Sequence, residues 1–267
     1  MLKKQLYFLH IPKTAGTFIS HGIKNSIGDE SLSYVSTALV NDKRELKSKI
    51  YVSSHSGTYP ISLLDNPEVA TLVREPVSAR ASYFNFIYPL FLQDRPEYKE
   101  ISDHKQRFLY YLFNDKNFLI HNNYQSRFIC NPADPVSWNP ESFKKDEDSI
   151  LKKYDGGKGF DWFVGNEKTS LDNALKALSE FKIVNTVDHI DMFCNEIKKW
   201  FLLNHNIEIN FDKSRINVGP LELDKEDVSS EYFASLLNQN EKDRVLELNS
   251  IDLEVYNFVK NKESQNV

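Results

Sequence analysis

The sequence predicts an α/β fold: a central, mainly parallel sheet flanked by helices, with helical insertions. Short apolar runs alternate with stretches whose apolar residues recur every three or four positions, the signature of strand–helix–strand crossovers. Polar clusters follow directly on several of those runs, at the strand ends where open parallel sheets bind ligands. With 267 residues, 40% of them hydrophobic and 27% charged, the chain can bury a continuous core without a disulfide or metal staple. It carries no linker rich in Pro, Gly or Ser, so a single domain over 1–267 is expected, ending in a polar tail at about 261–267.

Taken in order, Gln5 to Ile11 is an apolar and aromatic run that reads as a buried strand, ended by Pro12, which cannot donate to a ladder. Lys13-Thr-Ala-Gly-Thr17 is a small-residue loop, and Ile19, Ile23 and Ile27 then share one helix face. Ile50 to Ser54 reads as a second strand, with His55-Ser-Gly-Thr just past its end. Val69 to Val73 is a third, broken by Arg74-Glu75-Pro76, with Pro76 suited to the first turn of the following helix. Further on, Phe108, Leu109, Leu112 and Phe113 mark an amphipathic helix. Ser142 to Tyr154 reads as a charged surface helix, and Asp155 to Gly159 as a glycine-rich loop. Leu171, Ala174, Leu175 and Leu178 form a helical stripe, Phe181 to Val187 another strand, and Ile190, Phe193, Cys194, Ile197 and Phe201 the next helix. Ile216 to Pro220 is a loop, and the chain is helical from Asp227 onward.

Composition narrows the function. Lys+Arg 33 against Asp+Glu 38 leaves a net charge of −5, without the basic excess of a nucleic-acid binder. Cys130 and Cys194 lie far apart in no metal-ligand spacing, and no metal is expected. The longest apolar run near the start, Leu6 to Ile11, is too short for a signal core or a membrane span, so a soluble, cytoplasmic protein is expected.

The loop Lys13 to Thr17 has the makings of an anion cradle: small residues let backbone N–H groups converge, the helix behind adds its positive end, and Lys13 adds a full charge. It is P-loop-like in placement but is not a Walker A loop, whose Lys comes after its glycines. Read from spacing alone, it is either that cradle or a plain strand-to-helix turn with a surface Lys.

His10-Ile-Pro-Lys-Thr-Ala-Gly-Thr-Phe18 closely resembles the first motif of the carbohydrate sulfotransferases that use 3′-phosphoadenosine 5′-phosphosulfate (PAPS), the group that contains heparan sulfate 2-O-sulfotransferase and bacterial relatives. Leu72 to Tyr83, with Arg74 and, eight positions on, Ser82, resembles the second. The resemblance implies that Lys13, Thr14, Ala15, Gly16, Thr17 and Phe18 wrap the 5′-phosphosulfate and that Arg74 and Ser82 hold the 3′-phosphate. It implies a sulfotransferase with PAPS as donor, acting on a carbohydrate or another hydroxyl-bearing acceptor, with no nucleic acid and no membrane span involved. More loosely, Asn123 to Phe128 looks like the family's Asn-x-Gln-Thr-Arg segment, and Leu246 to Tyr256 like its C-terminal segment with an Asn, an Asp and a late Tyr. Between about residues 85 and 165 little aligns.

Sulfuryl transfer needs in-line geometry, a stabilised leaving group and a base for the acceptor proton. Lys13 is the candidate for the leaving phosphate and His55 for the base, against a structural role for His55 in its loop. Glu75 reads as an ion-pair or helix-cap residue, and His10 as a packed histidine. Gln125 and Arg127 either touch the ligand or bond between elements, and Asn217 and Gly219 either close over the adenosine or form a plain turn. Trp200 reads as core, while Trp138 and Trp162 are candidates for sugar stacking, with Trp162 as the cleft residue. Lys144, Lys145, Lys152 and Lys153, interleaved with Asp146, Glu147 and Asp148, read as a solvated face. A nucleotide kinase and a non-catalytic nucleotide-binding protein on the same fold are the competing readings.

Overall fold

The computed structural model describes residues 4–34, 43–93, 95–115, 122–131, 168–212 and 230–265. Its centre is β1 (Leu6–Leu9), four residues with no exposed surface. A fully buried strand has both faces covered, which is why this run is apolar throughout rather than alternating. β1 leads through the Lys13 loop into α1 (Gly16–Ile27), then β2 (Ser31–Tyr34), α2 (Lys43–Ser48), β3 (Tyr51–Ser54) and β4 (Glu68–Val73). α3 (Pro76–Ile87) follows β4 with Pro76 in its first turn, and Glu75 caps it, its carboxylate accepting from the backbone N–H groups of Val77 at 3.0 Å and Ser78 at 2.7 Å. Then come the short α4 (Pro96–Lys99), α5 (His104–Phe113) and α6 (Tyr124–Cys130), followed by α7 (Leu171–Glu180), β5 (Ile183–Thr186) and α8 (Ile190–His205). Three helices close the chain: α9 (Ser230–Ser235), α10 (Gln239–Leu248) and α11 (Ser250–Ser264).

The strands form one five-stranded, all-parallel sheet in the order β2-β3-β1-β4-β5. The chain runs out from β1 to β2, returns to β3, then crosses β1 to reach β4, so the direction of winding reverses at β1. The crevice beyond the carboxyl end of β1, between β3 and β4, is therefore the switch point where such sheets take their ligands.

One face of the sheet buries Tyr7, Leu9, Val52, Val69 and Val73 under α6, α7 and α11. The other buries Leu6, Phe8, Ala70 and Leu72 under α1 and α8, where Ile19 and Ile23 of the isoleucine stripe are fully buried. Cys194 and Trp200 belong to this second core, as expected, and the Trp200 indole N–H donates to the Glu68 carboxylate. The helical insertion has a core of its own, built from Phe84, Tyr98, Phe108, Tyr111 and Phe233 on α3, α4, α5 and α9.

Two expectations are corrected. The edge strand β2 was not foreseen: Ser-Leu-Ser-Tyr is too polar and too short to announce itself, and its pairing with β3 creates it. The polar tail does not begin at 261, because α11 continues to Ser264 and turns Glu263 inward, 3% exposed, to accept from the Thr186 N–H at 2.6 Å and the His189 ring at 2.8 Å. The helix read at Ser142 to Tyr154, the glycine loop at 155–159, Trp138, Trp162, the lysines from Lys144 to Lys153, and Asn217 with Gly219 lie outside the described residues.

Candidate functional site

Three loops leave the carboxyl ends of β1, β3 and β4 and meet. The β1 loop is shaped by two residues in the left-handed region, Lys13 (φ 67°) and Ala15 (φ 61°), with Ala15 serving as N-cap of α1. Turns of this kind bring successive N–H groups round to one side, an anion-binding concavity at a helix N-terminus. Thr14 locks the turn from within: it is fully buried and its hydroxyl donates to the Ile11 carbonyl at 2.8 Å, so its side chain braces the loop. Thr17 is exposed. Phe18 is 7% exposed and lies against Phe211, ring centres 5.7 Å apart, so its side chain serves the core and lines a cavity of about 210 Å³ with His21 and Asn25.

Gly16 is dictated by a close approach. A Cβ at this position would lie 2.0 Å from Cδ2 of His10, whose imidazole packs on the first turn of α1. That ring is stacked on Phe8 at 5.6 Å and lies 4.1 Å from the ring of His55. His10 is thus a packed histidine, as read from sequence, and its pKa is pushed well below the usual value by burial, then by His55 and Lys13.

His55 comes from the β3 loop. Its Nδ1 sits 2.6 Å from the His10 carbonyl oxygen. A carbonyl only accepts, so Nδ1 carries the hydrogen and Nε2 keeps its lone pair. Burial lowers the His55 pKa to about 4; the His10 hydrogen bond opposes this and the charge of Lys13 adds to it. The ring is therefore neutral at pH 7, with its lone pair on Nε2.

Arg74 comes from the end of β4, and its Nη1 donates to the Lys13 carbonyl at 3.3 Å across 61 residues of sequence. The Lys13 ammonium stands over the Phe86 ring at 4.3 Å. Burial first and the Arg74 guanidinium second lower the Lys13 pKa from 10.5 to about 8. Two cations are therefore held together, partly out of water, at the end of the central strand. Glu231, 78% exposed, lies 3.8 Å from Arg74. Such a long, solvent-facing pair neutralises little. Ser82 lies two turns further along α3, 9% exposed.

Helix α6, whose role the residues left open, joins the three loops from outside. The Gln125 side chain accepts from the Arg74 N–H and donates to the Arg74 carbonyl, both at 2.8 Å, so this residue bonds between elements. The Tyr124 hydroxyl donates to the Pro12 carbonyl at 3.2 Å, and the carbonyl of Asn131, just past the helix, accepts from Thr58 N–H at 3.0 Å. Gly57 permits that last contact, with φ 53° and only 2.1 Å between a notional Cβ and the Asn131 oxygen. The C-terminal segment supports α6 by reciprocal capping. Asp252, buried, accepts from Gln125 N–H at 3.1 Å and from Ser126 N–H at 2.8 Å, while the Asn123 side chain accepts from Ile251 N–H at 3.0 Å and Asp252 N–H at 3.2 Å. Asn249 and Asp252 are the Asn and Asp of the loosely matching segment. The late Tyr256 instead donates to Asp188 at 2.5 Å.

Phe86, Tyr124 and Asp252 are the contributors sequence reasoning did not assign. Nothing in their spacing says that a lysine will rest on one or that a helix will be capped from another. Among the described residues no group of three or more His, Cys, Asp or Glu could hold a metal ion, and no helix is long and apolar enough to cross a membrane. Comparison with protein-family models, curated proteins and solved structures found no match.

Proposed function

We propose that this protein is a sulfotransferase that moves the sulfuryl group of PAPS to an acceptor hydroxyl, with a carbohydrate as the first candidate acceptor. The observation that carries the reading is the juxtaposition of Lys13 and Arg74. Two cations from motifs 61 residues apart meet at the switch point of a parallel sheet, where burial and then the Arg74 guanidinium disfavour the charge of the Lys13 ammonium. A donor with phosphates at both its 5′ and 3′ positions would favour both charges, with the Lys13 to Phe18 turn on the 5′-phosphosulfate and Arg74, joined by Ser82 on the family resemblance, on the 3′-phosphate.

The chain's own residues offer a stabiliser for the leaving group and a base for the acceptor. In the reaction an acceptor oxygen bonds to the sulfur in line with the bond to the 5′-phosphate oxygen, which breaks, and 3′-phosphoadenosine 5′-phosphate leaves. Lys13 and the N–H groups of the α1 turn stabilise the charge growing on that oxygen. His55, held as the Nδ1–H tautomer by the His10 carbonyl, takes the acceptor proton on Nε2. Its pKa, held low chiefly by burial, rises when the anionic donor and developing charges approach, because nearby negative charge favours imidazolium.

The test is calorimetry without metal. 3′-Phosphoadenosine 5′-phosphate should bind in clear preference to AMP and ATP, and Arg74→Ala should lose that preference. Transfer of label from PAPS to a panel of glycan acceptors should fall at least about 100-fold in His55→Ala with donor affinity nearly intact. Equal or tighter ATP binding would point to the nucleotide kinase instead, and donor binding with no transfer to any acceptor class would favour a non-catalytic nucleotide-binding protein.

A further inference from the structure

Helix α6 touches every loop of the candidate site, and it is itself bonded into the fold more firmly than a seven-residue helix requires. Its first turn meets the Lys13 loop through Tyr124 and the end of β4 through Gln125, and its far end meets the His55 loop through Asn131. The Gln125 contact differs in kind from the others. A primary amide paired with both the N–H and the carbonyl of Arg74 imitates a ladder rung one residue beyond the last residue of β4, where strand pairing has stopped. Gln125 is 1% exposed, and its own backbone N–H is bonded to the buried Asp252 carboxylate. With both partners so fixed, the pair holds the two peptide units that flank the Arg74 Cα and so sets the direction in which its side chain leaves the backbone, while the Lys13 carbonyl holds the guanidinium at the far end.

We infer that Gln125 is a positioning residue: through its two bonds to the Arg74 backbone it aims the Arg74 guanidinium at a ligand phosphate, without touching the ligand itself. Asp252 and Asn123 hold Gln125 in place and so extend the same function from the C-terminal helix. The ligand assigned to Arg74, a 3′-phosphate, rests on the sulfotransferase reading; the aiming of Arg74 by Gln125 does not.

Two measurements separate these. Calorimetry with 3′-phosphoadenosine 5′-phosphate and with AMP reads the contribution of the 3′-phosphate as the ratio of their affinities. Amide hydrogen exchange reads Arg74 directly, with no ligand present. In Gln125→Leu the ratio should fall about tenfold, the free-energy equivalent of one to two lost hydrogen bonds. AMP affinity should stay within about twofold, and the Arg74 amide should lose protection. Gln125→Glu, which can still accept from the Arg74 N–H but no longer donates to its carbonyl, should fall between wild type and Gln125→Leu in both readouts and serves if the leucine variant folds poorly. In the pair Arg74→Ala and Gln125→Leu, the second change should add nothing to the ratio lost by the first. A merely structural helix would weaken both ligands alike. An unchanged ratio in Gln125→Leu beside a wild type that prefers the 3′-phosphate overturns the inference. A wild type with no such preference overturns the sulfotransferase reading instead, and unchanged Arg74 amide protection then still overturns the positioning role.

Discussion

Replacing Lys13 by Met should make the protein more stable at neutral pH. The Lys13 ammonium has its pKa lowered from 10.5 to about 8, chiefly by burial and then by Arg74. At about 1.4 kcal/mol per pKa unit, keeping this charge in the folded state costs about 3 kcal/mol. The contact with the Phe86 ring at 4.3 Å offsets about 0.5–2 kcal/mol of that, and screening of the partly exposed ammonium trims it further. Met keeps most of the stem and drops the charge, so the variant should gain about 1–2 kcal/mol at pH 7. The pH dependence has a definite sign. The unfolded chain keeps the proton up to about 10.5 while the folded chain releases it near 8. The full cost therefore applies below pH 8 and fades as pH rises towards 10.5. Urea titrations of both proteins at pH 7 and 9.5 should show wild type regaining about 1 kcal/mol relative to the variant. A Lys13→Met protein less stable than wild type at pH 7, or a gap that is the same at both pH values, refutes the reasoning. The expected result also bears on function, because a residue that weakens the fold at its working pH is retained for what it binds.

Gly16→Ala should destabilise the fold by about 1–3 kcal/mol in urea, since a methyl 2.0 Å from the His10 ring meets a side chain already bounded by Phe8 and His55. Nitrogen NMR of the imidazoles should show His55 displaced as well, and an unperturbed His55 would mean the two rings are not mechanically linked. Asp252→Ala strips acceptors from Gln125 N–H, Ser126 N–H and the Ser126 hydroxyl and removes the carboxylate that the buried Arg80 charge faces. A loss of about 3–5 kcal/mol is expected by denaturant titration, and a loss below about 1 kcal/mol would show that α6 is held by its apolar contacts alone.

What the sequence determined by itself are the features that local chemistry decides. The apolar run Leu6 to Leu9 favours a buried strand, the Ile19 and Ile23 spacing puts both on one face of a helix, and Glu75-Pro76 offers a cap and a first-turn residue to the helix that follows. Lys13, His55 and Arg74 were legible as residues at strand ends for the same reason, since each follows directly on such a run. What the tertiary structure alone decided is how those ends relate. The passage of the chain from β3 across β1 to pair β4 beside it brings Arg74 to the Lys13 carbonyl, pairing with β3 makes a strand of the polar Ser31–Tyr34, and Gln125, Asp252 and Glu263 acquire their partners from segments 51 to 127 residues away. Periodicity and propensity act over a few residues and carry no information about such distances; hydrogen bonds and buried charges are set by whichever atoms the folded chain brings within about 3 Å.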